Sequence, residues 1–196
     1  MIKGKAVIHL LKYIVGLEIP DSQTTKAEQE AIAKYAKSAN SAVEIGVYEG
    51  VNTVIIANQL AVSGKLFAID PFFKGKLGIC YHEQIAKHQV NKNSLTTKVQ
   101  FISKLSFDAY NDVPNELDFI FIDGDHSLEG IKKDWELFSI KVKKGGLIAL
   151  HDTSIPSHNS SVANLGSYIY FQSSIKYDQR FETIATVDSL NILKRL

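Results

Sequence analysis

The sequence is poor in cysteine: Cys80 stands alone among 196 residues. No internal disulfide can form, and too few thiolates exist for a structural zinc site. That usage fits a reducing compartment, and a cytoplasmic location is expected. An excess of charge of either sign is also missing. Lys plus Arg number 22 against 21 for Asp plus Glu, so there is no basic field of the kind that phosphate backbones or anionic lipid select, and nucleic acid is not an expected partner. Long apolar runs are absent as well. The stretch Met1 to Gly16 carries Ile8, Leu10, Leu11, Ile14 and Val15 but is broken by His9, Lys12 and Tyr13. It is too short to span a bilayer and is followed by no small-residue cleavage site, so no membrane is expected as a partner. An amphipathic helix packing on the domain, or on a second copy in a homo-oligomer, is the better reading. With no internal repeat, low-complexity tract or long linker, one domain is expected over residues 1–196, comprising an N-terminal helical extension (1–38) and a core (41–153).

What the chain does have is an alternation of strands and helices. Short, nearly continuous apolar runs occur at Ala42 to Ile45, Leu66 to Ile69, Val99 to Ile102, Leu117 to Ile122 and Leu147 to Leu150. Runs of this kind are expected of parallel strands covered by helices on both faces. Helical stretches lie between them, carrying Ala31, Ile32, Tyr35 and Ala36 before the first strand and Val51, Val54 and Ile55 after it. Leu128, Ile131, Trp135 and Phe138 recur at three- and four-residue steps, which puts them on one helical face. Lys143-Lys144-Gly145-Gly146 is expected to stop that helix and turn the chain into the fifth strand. The predicted fold is α/β: a Rossmann-like, doubly wound sheet flanked by helices.

Each strand but the third finishes at a glycine or an ionisable group: Gly46, Asp70, Asp123 and His151-Asp152. In open α/β sheets ligands bind beyond the carboxyl ends of the strands, so these residues point to one crevice. The first turn, Val43-Glu44-Ile45-Gly46-Val47-Tyr48-Glu49-Gly50, places Tyr48 and Val51 where a dinucleotide fingerprint needs its second and third glycines. A pyrophosphate would also meet Glu44. S-adenosylmethionine instead carries a cationic ammonium and a sulfonium, which a carboxylate attracts, so Glu44, Gly46, Tyr48 and Gly50 are candidate cofactor contacts. Asp70 can accept both ribose hydroxyls. Pro71 follows it, and Phe72 or Phe73 is placed to wall an adenine. Asp123, His126, His151 and Asp152 gather two carboxylates and imidazoles from neighbouring strand ends, a plausible oxygen-preferring site for Mg2+ or another divalent cation. The plainer alternative is an Asp-Gly connection in which Asp125 or Ser127 caps the next helix.

These segments, with Ala68-Ile69-Asp70-Pro71, Phe121 through Gly130 (a D-G-D-H-S turn), Asp134-Trp135, and Gly145-Gly146 through His151-Asp152-Thr153, resemble class I S-adenosylmethionine-dependent methyltransferases of the macrolide-sugar O-methyltransferase and cephalosporin-hydroxylase-like group. The resemblance runs from Ser41 to Thr153. It implies a mostly parallel, seven-stranded sheet, an ion on Asp123, His151 and Asp152, cofactor contact by Asp123, a general base in His126, and a sugar or other hydroxyl-bearing small molecule as acceptor. Two departures stand out: His151 replaces a carboxylate, and the turn after the third strand reads Ser103-Lys104-Leu105-Ser106, with Ser106 left to approach the adenine. His82 and His88 fit a solvated helical face, His158 lies in a loop that could border the acceptor, and Lys74 to Gly78 reads as a flap over the cofactor. A nicotinamide oxidoreductase, a metal-dependent hydrolase and a non-catalytic cofactor-binding protein are the competing readings.

Overall fold

A computed structural model describes residues 3–75 and 78–196. Helix α1 (Lys3–Ile14) precedes α2 (Lys26–Tyr35) and strand β1 (Ser41–Ile45); α3 (Val51–Gln59), β2 (Lys65–Ile69), α4 (Tyr81–Lys92) and β3 (Val99–Ile102) follow. The chain continues through β4 (Leu117–Ile122), α5 (Leu128–Phe138), β5 (Val142–Leu150), α6 (Gly166–Ser173), β6 (Phe181–Val187) and β7 (Leu190–Arg195). The strand order is β3-β2-β1-β4-β5-β7-β6. The first five strands run parallel, and β7 joins β5 antiparallel, with β6 as its hairpin partner.

Alternate residues of the central strands feed two separate cores, because successive side chains of a strand point to opposite faces. Ala42, Leu66, Ala68, Phe119 and Phe121 pack with Ile32 of α2 and Ile56 of α3. Val43, Ile45, Ile69, Ile120 and Ile122 pack on the other face with Ile131, Trp135 and Phe138 of α5. Burial of both faces is why these strands read as continuous apolar runs.

One expectation about the elements is corrected. Lys143 to Gly146 lie inside β5, and α5 ends earlier, at Phe138, with a 3-10 turn over Ser139–Lys141. Gly145 has φ of 77°, and the β4–β5 register shifts between Leu117 and Phe119, so the strand absorbs the glycine pair as an irregularity. On α3 the fully buried apolar residues are Ile56 and Ala57; Val51, Val54 and Ile55 are only partly covered. Helix α1 docks through His9 and Tyr13, while Ile8, Leu11 and Ile14 remain more than half exposed. The helix packs against α4, as expected of an amphipathic helix on the domain. The expected flap is only partly visible, since Lys76 and Leu77 lie outside the described residues, as do Met1 and Ile2.

Candidate active site

The ladder continues one residue beyond β1, β2, β4 and β5 and thereby fixes the rim of the site. Gly46 N–H donates to Ile69 O (2.9 Å), Asp70 to Ile102 O (3.2 Å), Asp123 to Ile45 O (2.8 Å) and His151 to Ile122 O (3.0 Å). Four residues chosen from four strand ends are thus placed side by side by backbone bonds alone.

Behind this rim the glycine turn is packed too tightly for side chains. Gly46 has φ of +88°, and a Cβ there would lie 2.0 Å from the carbonyl oxygen of Asp123. Gly50 caps α3 with φ of +78° and presses on Ala86 of α4. Tyr48, Phe72 and Asp152 also take positive φ (53°, 43° and 53°), a conformation that costs L side chains energy and clusters at functional sites. The Asp70 carboxylate holds the turn in shape. Its Oδ2 accepts from Val47 N–H (2.9 Å) and Tyr48 N–H (3.1 Å), and its Oδ1 accepts from Phe72 N–H (2.8 Å). Three acceptor positions are therefore used within the chain, which corrects the picture of a carboxylate free to take two hydroxyls.

A cavity of about 810 Å³ opens in front of the turn, within the range of small-molecule sites. Gly46, Tyr48, Asp70, Pro71, Ser106 and Asp123 all line it, as does His126. Of the two aromatics after Pro71, Phe72 is buried against Phe101 and Phe73 is exposed, and both reach the cavity. Glu44 does not line it. As the neighbour of Val43 and Ile45 it points to the opposite face, where it is fully buried and accepts a 2.5 Å hydrogen bond from Thr53 Oγ1 of α3. Burial raises its pKa well above the ordinary carboxyl value, against the Thr53 bond, and the charges of Asp123 and Asp70 add to that. Glu44 is a buried carboxyl of the core whose neutral form is favoured, and the expectation of direct cofactor contact is corrected.

Sequence reasoning overlooked Glu28, which organises the ionisable cluster. Thr25 and Glu28 form a capping box at the start of α2, and Glu28 also accepts from Ser189 N–H (2.8 Å) and Ser189 Oγ (2.7 Å). Its Oε2 lies 3.4 Å from His151 Nε2, while His151 Nδ1 lies 2.9 Å from Asp123 Oδ1 and 3.6 Å from Asp152 Oδ2. Burial would lower the pKa of His151, but its contacts with Asp123 and Glu28 push it up to about 10. Glu28 falls to about 2: burial alone would raise it, and the bonds from His151, Thr25 and Ser189 outweigh that. A histidine ligates a metal through a ring nitrogen that carries no proton. With a carboxylate near each nitrogen the protonated form of His151, which is not a ligand, is favoured in the chain by itself, while its Nδ1 and Asp123 Oδ1 have no hydrogen-bond partner among the described residues. Among the described residues, a cluster of metal-ligating spacing is formed by His9, Asp21 and Glu49, in which Glu49 Oε2 already bonds His9 Nε2 and the Asp21 backbone N–H.

His126 sits at the mouth of this cluster. Its Nδ1 is 3.5 Å from Asp152 Oδ2 and its Nε2 is 3.8 Å from Asp123 Oδ1. The capping alternative also holds, and without conflict: Ser127 Oγ accepts from Gly130 N–H, and Asp125 Oδ1 accepts from Ser127 N–H. His82 and His88 are not on a solvated face. His82 stacks edge-on against Tyr48 and borders the cavity, and His88 pairs with the Tyr13 hydroxyl at 2.9 Å. His158 is exposed and outside the cavity lining. Asp21 to Gln23 also border the cavity, a contribution no local pattern signals because it comes from a loop far away in the chain.

The family model described as a methyltransferase domain matches residues 43–153. A curated relative, an uncharacterized protein of Acanthamoeba polyphaga mimivirus, is 32% identical over 116 residues, covering 56% of this chain and 50% of the relative. The chain thus spans about half the length of that relative. Among solved structures, an O-methyltransferase from Bacillus cereus in complex with SAH superposes with a TM-score of 0.67 at 17% identity, covering 98% of this chain and 90% of the other. The O-methyltransferase TomG from Streptomyces achromogenes, in complex with SAM, gives 0.64 at 14% identity over 97% and 89%. A methyltransferase from Geobacter sulfurreducens gives 0.66 at 15% identity over 98% and 88%.

Proposed function

Because the chain belongs to the methyltransferase-domain family, we propose that it is an S-adenosylmethionine-dependent O-methyltransferase acting on a hydroxyl-bearing small molecule, a sugar being the acceptor favoured by its motifs. The observation that carries this reading is the cavity in front of Gly46, Asp70 and Asp123, with an imidazole at its mouth. Solved relatives named as O-methyltransferases, two of them holding SAM or SAH, support it.

When bound, the cofactor supplies an electrophilic methyl group on a sulfonium. The chain's own residues do the rest. Gly46 lines the cavity and lets the turn pack against the Asp123 backbone, while Gly50 lies behind it against Ala86. Asp70 keeps one acceptor position on Oδ1 for a ribose hydroxyl while holding the turn. Positioning the two reactants in line accounts for most of the acceleration, since effective molarities for well-oriented pairs are on the order of 10⁵ M or more. An aliphatic hydroxyl must also lose its proton. His126 is the imidazole placed to take it, with its ring nitrogens 3.5 Å from Asp152 Oδ2 and 3.8 Å from Asp123 Oδ1. His151 lies between Asp123, Asp152 and Glu28 and offsets their charge when it is protonated.

The test joins binding to turnover. Calorimetry should detect binding of S-adenosylmethionine and S-adenosylhomocysteine and none of NAD or NADP. With a panel of hydroxylated acceptors, His126→Ala should lower turnover by about 10²-fold or more while leaving affinity for S-adenosylhomocysteine unchanged. Binding of a nicotinamide nucleotide in place of the sulfonium compound would refute the proposal, and an unaltered turnover in the variant would remove His126 from it.

A further inference from the structure

Asp134 is a carboxylic acid on the wrong face of its helix. It follows Ile131 and precedes Trp135 and Phe138 on the stripe of α5 that packs into the sheet, and it is only 3% exposed. A buried carboxyl on an apolar stripe is costly unless its acceptor positions are filled. One is: the Ser106 hydroxyl donates to Oδ1, tying α5 to the 3-10 turn that begins at Ser106. No cation or backbone N–H reaches Oδ2 among the described residues. That oxygen lies 3.3 Å from where a Cβ on Gly124 would stand, so the absence of a side chain at Gly124 is what leaves it uncovered. Asp134, Ser106 and Gly124 all line the large cavity.

The surroundings define what would complete it. Pro71 and Phe72 lie on the cavity wall and offer apolar surface for a flat ring, while Asp134 Oδ2 is a bare acceptor. Burial, opposed by Ser106 and assisted by Asp125, raises Asp134 to about 6, which leaves it ionised at neutral pH and without a counter-charge. A ring bearing an amino group on its edge satisfies both features; a ring bearing an oxo group at the same place would set two lone pairs against each other.

We propose that Asp134, held by Ser106, is the residue that selects an amino-purine over an oxo-purine at this site. The inference rests on the cofactor assignment above, whose base is an adenine. Sites that bury a polar group for a particular partner reject analogues that leave it unpaired, by factors larger than apolar contact can provide.

Titration calorimetry of the full chain with S-adenosylhomocysteine and S-inosylhomocysteine, which differ by a 6-amino against a 6-oxo group, tests this directly. The wild type should bind the amino compound at least about tenfold more tightly. Asp134→Asn, whose amide offers a donor as well as an acceptor, should bring the two affinities to within about threefold by weakening the first and strengthening the second. Equal affinities in the wild type overturn the inference without recourse to any variant, and so does an Asp134→Asn protein that keeps the wild-type ratio. If the wild type binds neither compound, the cofactor assignment falls, and this inference falls with it.

Discussion

At the scale of single residues, the separation between Glu44 and Asp70 carries the most information. Both are carboxylates at or beside the end of a strand, and only parity distinguishes them: Glu44 is the last residue but one of β1 and faces α3, while Asp70 is the first residue after β2 and faces the cavity. Strand alternation was legible in the apolar pattern, but which face carries the cavity was not, because both faces of a doubly covered sheet are apolar. The raised pKa of Glu44 has a testable consequence. Its folded pKa lies well above the ordinary value, so the folded chain binds a proton that the unfolded chain releases above about pH 4.5. Folding therefore loses stability on this account as pH rises beyond that point. Glu44→Gln keeps the shape and the hydrogen bond to Thr53 while removing the titration. It should raise the urea midpoint at pH 8 relative to pH 5 and leave the affinity for S-adenosylhomocysteine within about twofold. A large loss of affinity would place Glu44 back in direct contact with the ligand.

Among the elements, α2, β5 and the β6–β7 hairpin are tied together by one ion pair and its hydrogen bonds. Glu28 of α2 accepts from Ser189 in the hairpin turn and faces His151 at the end of β5. Thr25-x-x-Glu28 has the spacing of a capping box, but the other partners of Glu28 lie 123 and 161 positions away in the chain, beyond the reach of local spacing. The same limit hid β6 and β7. β6 is mostly exposed along Glu182 to Ile184, as an edge strand can be, and so lacks the continuous apolar run that marked the five parallel strands. The buried stripe of α5, by contrast, was readable because it repeats with the helical period, although the helix ends at Phe138 and not at the glycine pair. The clamp predicts a pH dependence. His151 stays protonated in the folded chain up to about pH 10, whereas a free imidazole titrates near 6.5, so its stabilisation is complete below about pH 6.5 and declines as pH rises through about 10. Glu28 acts at the other end, its contribution present above about pH 4.5 and lost as pH falls through about 2. Between pH 6.5 and 10 the wild type should lose about 2 kcal/mol or more relative to His151→Gln, measured by urea unfolding at intervals across that range. Parallel curves for the two proteins would mean that His151 is neutral in the fold and free to ligate.

For the whole molecule, the N-terminal residues matter because they complete the cavity that the sheet only begins. His9 Nε2 and Asp21 N–H both bond Glu49 Oε2, at 3.0 and 2.6 Å, and Asp21 to Gln23 border the same space as Gly46 and Asp70. Glu49, 1% exposed, sits one residue before the glycine that caps α3, so the N-terminal segment braces the turn from outside as Asp70 braces it from within. A ligand that binds the folded chain alone stabilises it by about 2.7 kcal/mol at one hundred times its dissociation constant, which for a chain of this size raises the melting temperature by about 5–10 °C. S-adenosylhomocysteine at that concentration should produce such a shift in the full chain. Removal of residues 1–23 leaves Thr25 to cap α2 and leaves both cores intact, but it uncovers Glu49 and opens one wall of the cavity. The truncated protein should therefore keep a cooperative melt and show less than about half of the shift at the same ligand concentration. An equal shift would mean that the ligand is held by the strand ends alone and that the N-terminal segment takes no part in holding it.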